Sequence, residues 1–162
     1  MGEGAILIHN NHMEMWQVTR ADLLEAAQQN TPALFPCEIE SMENTLRQIL
    51  GIAPKEEERV DEINIQRAMA MQVVSNQNKV YGASCILYPE VLEKVAGTVG
   101  QNLYIIPSSV HEMLLLPDDG SDDGAYLQKL IREVNVTQVE PEAVLSDQLY
   151  YYDYLEKQIR IF

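Results

Sequence analysis

The sequence predicts an α+β fold: a mixed, mainly antiparallel sheet with three or four helices packed on it. Three observations lead there. Short apolar runs of strand length mix with amphipathic segments, without the regular alternation of a doubly wound sheet. The content of 46% hydrophobic and 22% charged residues is that of an ordinary globular chain, which excludes wholesale disorder, collagen-like structure and coiled coil. A length of 162 residues suits a single domain with its own core, since folding at this size removes about 70% of the unfolded chain's surface from water.

Ala5-Ile6-Leu7-Ile8 reads as a buried strand with hardly any leader before it. The chain is therefore expected to be an excised domain of a longer protein, with Met1-Gly2 added at its start; a myristoylation pattern fails because the sixth residue is Ile6. Thr19-Arg20-Ala21-Asp22 resembles a capping box, followed by Leu23, Leu24, Ala26 and Ala27 on one face, which predicts a helix from about Arg20 to Gln29, ended by Asn30-Thr31-Pro32. A second helix is expected from about Glu38, with Ile39, Met42, Leu46, Ile49 and Leu50 at helical spacing and Gly51 as its cap. The acidic connector at about 52–66, with Lys55-Glu56-Glu57-Glu58-Arg59 at its heart, reads as a solvated surface segment.

Met69 to Val74 is expected to be a strand, Asn76-Gln77-Asn78-Lys79 a turn, and Val80 to Tyr88 a second strand completing a hairpin, with Gly82 marking a bulge or a close backbone approach. Pro89 suits the first position of a short helix carrying Val91, Leu92, Val95 and Ala96, with Gly97 and Gly100 at its exit. Leu103 to Ile106 is a strand, Pro107-Ser108-Ser109 a turn or kink, and Val110 to Leu116 another strand. Met113 to Leu116 is apolar on both pleat faces, so that strand is placed centrally. After the loop from Pro117 to Gly124, a helix from about Ala125 to Val136 turns Leu127, Leu130, Ile131 and Val134 inward, and Glu140 to Ala143 makes a helical turn. Leu149 to Asp153 and Gln158 to Phe162 close the domain as a Tyr- and Ile-rich hairpin.

With 11 Lys and Arg against 25 Asp and Glu, the formal charge is −14. That sign opposes phosphate backbones and anionic lipid surfaces, so neither nucleic acid nor membrane is an expected partner. The chain lacks an apolar run long enough for a membrane helix and the tripartite pattern of a signal peptide, which points to the cytoplasm. Cys37 and Cys85 sit in apolar surroundings, lack a C-x-x-C spacing and are expected to be inert buried thiols; nothing in their spacing argues for a disulfide.

Val80-Tyr81-Gly82-Ala83, Leu87-Tyr88, the stretch Tyr104 to Glu112, Asn135 and Leu145 to Tyr152 together resemble a bacterial domain-of-unknown-function family seen mainly in Firmicutes. Asn30-Thr31-Pro32 and Phe35-Pro36 fit its first half, so the resemblance spans most of the chain, while residues 54–68 match poorly. The Pro-Ser-Ser-x-His-Glu segment from Pro107 to Glu112 is its distinctive part. The resemblance implies the C-terminal portion of a longer cytoplasmic protein, with no assigned activity and no catalytic residues to transfer.

Four groups could carry chemistry. Ser108, Ser109, His111 and Glu112 contain the ingredients of an activated nucleophile, but in an extended strand Ser109 and His111 share one face and Glu112 the other, so an outside acid such as Asp147 would be required. The plainer reading has the serines bonding turn backbone and His111 anchoring a polar contact. His9 and His12, with Glu14, could hold zinc, yet the preceding apolar run makes them exposed residues at a strand end. The loop from Asp118 fails the EF-hand template, because an alignment starting at Asp119 puts Leu130 where a bidentate Glu is needed; helix capping by Ser121 or Asp122 fits better. Tyr150, Tyr152 and Tyr154 alternate onto one strand face, either as sheet packing or as a partner surface. No Gly-rich phosphate loop is present, so no nucleotide or other cofactor is expected. The reading that follows is a non-enzymatic interaction or regulatory module of a larger protein, whose partner is another protein or the rest of its own chain. The alternative is a small hydrolase or metal-assisted enzyme centred on His111.

Overall fold

The computed structural model describes residues 6–42, 70–121 and 124–162. The second half of the helix expected after Glu38 and the acidic connector lie outside these residues. The chain divides into two compact units, Met1–Leu34 and Phe35–Phe162. Among the described residues no helix is long and apolar enough to cross a membrane.

The first unit holds helices α1 (Asn10–Trp16) and α2 (Arg20–Leu34). Ile6 to Ile8 are exposed and form no strand, a correction to the sequence expectation. Without a neighbouring strand to complete a ladder, three apolar residues cannot pair their backbone. The capping box at α2 is real: the Asp22 N–H donates to Thr19 Oγ1 at 3.2 Å, and the Thr19 N–H and hydroxyl both donate to the Asp22 carboxylate at 2.7 Å. α2 runs past Gln29 and takes in Pro32. The proline lies in the last turn, where its missing N–H frees only a carbonyl in an exposed part of the helix.

The second unit is built on a six-stranded sheet, in the order β1-β2-β4-β3-β5-β6. Its strands are β1 (Cys37–Ser41), β2 (Gln72–Asn76), β3 (Leu103–Ser109), β4 (Glu112–Pro117), β5 (Tyr150–Asp153) and β6 (Gln158–Ile161). Every neighbouring pair is antiparallel. With helices α3 (Val91–Val99) and α4 (Gly124–Thr137), this is the α+β class the sequence predicts. β4 is central, as its doubly apolar pattern requires.

The pleat explains the two cores. Leu103, Ile105, Met113 and Leu115 point to one face, where the 3-10 turn Gly82–Leu87 and α3 contribute Ala83, Cys85, Val91, Leu92, Val95 and Ala96. Tyr104, Leu116 and Tyr151 point to the other, covered by Leu127 and Ile131 of α4. Fully burying a side chain such as Leu103 or Ile105 contributes about 1.5–3 kcal/mol. The tyrosine run belongs to these cores. Tyr152 is buried on the α3 side with Tyr150 and Tyr154 beside it, and Tyr151 is buried on the α4 side, so the run is sheet packing rather than an exposed row.

Three further expectations change. Cys37–Ser41 is a strand, not the start of a helix: Cys37, Ile39 and Ser41 alternate with Glu38 and Glu40, and the strand period wins because β2 offers a ladder from Cys37 opposite Asn76 to Ser41 opposite Gln72. Val80 to Tyr88 is not a strand, because β2 already has β1 and β4 as neighbours and residues 82–87 coil into the 3-10 turn over the sheet. Pro107-Ser108-Ser109 is not a turn but the end of β3, with a register shift between Pro107 and Ser109. The β5 pairing stops at Ile105, so Pro107 lies at an open margin, where a missing N–H is tolerated.

Candidate functional site

The tip of the β3–β4 hairpin gathers most of the residues singled out from the sequence. Ser108 Oγ donates to Glu112 Oε1 at 3.0 Å across the bulge, and the His111 N–H donates to Ser109 Oγ at 3.1 Å. The His111 carbonyl accepts the hydroxyl of buried Ser75 at 2.8 Å. His111 Nδ1 accepts the Tyr81 N–H at 3.1 Å, with the two rings 5.6 Å apart. An acceptor Nδ1 leaves the proton of a neutral imidazole on Nε2. Val110 and His111 are thus the turn between β3 and β4, with Ser109 and Glu112 paired across it, rather than part of an extended run. Glu112 meets Ser108, while His111 faces a backbone amide.

The opposite side of this tip is a loop under strain. Lys79 and Tyr81 both hold left-handed backbone, at φ 54° and 53°, a conformation costing a side-chain-bearing residue about 1–2 kcal/mol. Asn76, buried at the end of β2, offsets part of that cost by donating through Nδ2 to the Val80 carbonyl at 2.8 Å and accepting the Val80 N–H at 3.3 Å. Gly82 follows because nothing larger fits. A Cβ there would strike Ser75 Oγ and would stand 2.5 Å from the Asn76 nitrogen and 2.7 Å from the His111 carbonyl oxygen. The close approach inferred from the sequence is therefore present, whereas Ser75, Asn76 and Tyr81 escaped it. Asn76 was visible only as a turn residue, and burial of its amide has no sequence signal.

Asp147 belongs to a second cluster, where the segment before β5 meets Gln128 and Asn135 of α4. Its carboxylate accepts Asn135 Nδ2 at 2.8 Å, its backbone carbonyl accepts Gln128 Nε2, and Asn135 Nδ2 also reaches the Ser146 carbonyl at 3.0 Å. The Leu149 N–H donates to Gln128 Oε1 at 2.9 Å, tying the start of β5 to the helix.

Between α4 and the sheet lies a groove of about 140 Å³, floored by Met71, Ile106, Pro107 and Leu114 and walled by Leu127, Leu130, Ile131 and Val134. Ser108 on the sheet side and Asn135 on the helix side are its polar residues, and each is hydrogen-bonded to a carboxylate, Glu112 and Asp147 respectively. His111 does not line it. Leu130 and Val134, expected inside, are 39% and 36% exposed at its mouth.

The histidine pair lies in the first unit. The His9 N–H donates to His12 Nδ1 at 3.1 Å, and the His12 ring stacks on Trp16 with centroids 5.5 Å apart. These residues therefore open α1 rather than follow a strand. Among the described residues no three His, Cys, Asp or Glu side chains gather as a metal set. In the loop before α4, Asp118 and Asp119 accept the Gly120 and Ser121 N–H groups at 3.0 and 3.1 Å, while Asp122 lies outside the described residues. Asp118 also accepts the Tyr151 hydroxyl at 2.6 Å; burial, then this carboxylate, pushes that hydroxyl above the usual tyrosine range.

No curated protein and no solved structure matches this chain. A family model does, over residues 1–154, and the chain accordingly belongs to a family of unknown function, DUF5688.

Proposed function

We propose that this chain is a non-enzymatic protein-interaction or regulatory module, the C-terminal portion of a larger bacterial cytoplasmic protein. Its contact surface is the groove between α4 and the sheet, and its ligand an apolar segment of a partner protein or of the rest of the longer chain. The observation that carries this reading is the groove itself: an open, almost wholly apolar trough with Leu130 and Val134 at its mouth, flanked by polar residues already engaged with their own carboxylates. Apolar surface left open beside a packed helix is what a helix-in-groove contact uses.

The test is site-specific photocross-linking from position 130 in the full-length protein in its native cells, beside a Val134→Asp variant. The reading expects one defined cross-linked species that the variant loses while keeping its circular dichroism spectrum. Absence of any partner that depends on the groove ends it.

A hydrolase centred on His111 is the competing reading, favoured by the contact between Ser108 and Glu112. It requires an imidazole nitrogen free to take a serine proton, and the Tyr81 N–H engages Nδ1. Ester hydrolysis abolished by both Ser108→Ala and His111→Ala would establish it.

A further inference from the structure

The chain's two cysteines, 48 positions apart in sequence, meet in the core on the α3 side of the sheet. Cys37 opens the edge strand β1, and Cys85 lies in the 3-10 turn that packs on the neighbouring strands β2 and β4. Cys37 packs against the buried cluster that holds Cys85, near enough for the two thiols to influence each other, and its own thiol donates to the Glu38 carbonyl at 3.8 Å, while the Tyr88 hydroxyl, beside Cys85, donates to the Phe35 carbonyl at 3.0 Å. Access to the two is unequal: Cys85 is fully buried and Cys37 half-buried. A contacting pair with one reachable and one protected sulfur is the arrangement of an attacking and a resolving thiol.

We propose that Cys37 and Cys85 form a reversible intramolecular disulfide that staples edge strand β1 to the 3-10 turn, with a small-molecule disulfide such as oxidised glutathione as the oxidant. Cys37 loses its proton and attacks one sulfur of the oxidant, giving a mixed disulfide on Cys37 and releasing one thiol. Cys85 then attacks Cys37 Sγ, the Cys37–oxidant bond breaks, and the departing thiolate takes up the Cys85 proton. The protein gives up two electrons and two protons, and the oxidant becomes two thiols. Burial, with the neighbouring Cys85 adding to it, pushes the Cys37 thiol up to about 12. The reaction is accordingly slow at neutral pH and accelerates about tenfold per pH unit below that value, as the thiolate fraction grows.

The experiment incubates the native full chain with oxidised glutathione at mildly alkaline pH and follows intact mass and free thiols. The expected product is a monomer lighter by a pair of hydrogens, with both thiols lost, no glutathione attached, and full recovery on reduction. The Cys85→Ala variant should stop at a glutathione adduct on Cys37. A lasting adduct on the wild-type protein, a disulfide-linked dimer, or two thiols still free each overturns the proposal.

Discussion

His111 Nδ1 and the Tyr81 amide nitrogen, 3.1 Å apart, join the tip of the β3–β4 hairpin to the strained loop leading into the 3-10 turn. The contact makes the histidine a backbone acceptor. His111→Phe keeps an aromatic ring and removes the acceptor, so it should lower unfolding stability by about 1 kcal/mol, while His111→Asn, whose amide oxygen can take the same N–H, should recover most of it. Denaturant melts of the two variants decide this: equal losses would mean that the acceptor is irrelevant.

Gly82→Ala should cost about 1–3 kcal/mol, because two of the three atoms its Cβ would meet are backbone and cannot rotate away. Gly120→Ala is the control, with a φ of 81° but open space around its Cβ. A shift in the chemical shifts of Ser75, Asn76 and His111 in the Gly82 variant alone would localise the clash.

Asn135 is 8% exposed and supplies two hydrogen bonds from one amide, to the Ser146 carbonyl and the Asp147 carboxylate. Truncation to Ala strands both acceptors, and a loss of about 1–3 kcal/mol is expected. Because Asn135 also lines the groove, Asn135→Ala should alter partner binding as well. Thermal melts together with the cross-linking yield separate the two effects.

Two hydrogen bonds from Thr19 to the Asp22 carboxylate hold its pKa below the ordinary 3.8, the backbone N–H contributing most and the hydroxyl next. A depressed carboxylate stabilises the helix above its unfolded pKa and loses that contribution as pH falls through the folded value. The amide resonances of Thr19 and Asp22 should therefore stay constant from neutrality down to about pH 4 and move only below it. Asp22→Ala should remove the acid transition, and an identical transition in that variant would assign it to another group.

The central hairpin was legible because Met113 to Leu116 can only be buried on both faces, and α4 because Leu127 and Ile131 recur at helical spacing. The β1 strand was not, since Ile39 and Met42 fit a helical period as well as Cys37 and Ile39 fit a strand period, and the deciding ladder comes from β2, more than thirty residues away. The expected hairpin from Val80 failed for the same reason: β2 spends both edges on distant strands. At the site, the meeting of Ser108 with Glu112 depends on the register shift past Pro107, which moves Ser108 relative to the regular alternation. Residue types foretold the ingredients. Their pairing was set by a bulge that no local pattern announces.

The strand order places one tight hairpin, β3–β4, in the middle, with β2 and β1 added on one side and β5 and β6 on the other. Closing that hairpin fixes few intervening residues, whereas pairing β1 with β2 must close a far longer loop. The hairpin is thus the natural nucleus from which the two flanks grow outward and to which they unzip separately. Amide exchange should be slowest at Ile105 and Leu115 and fastest at β1 and β6, and uniform protection across the sheet would contradict that order.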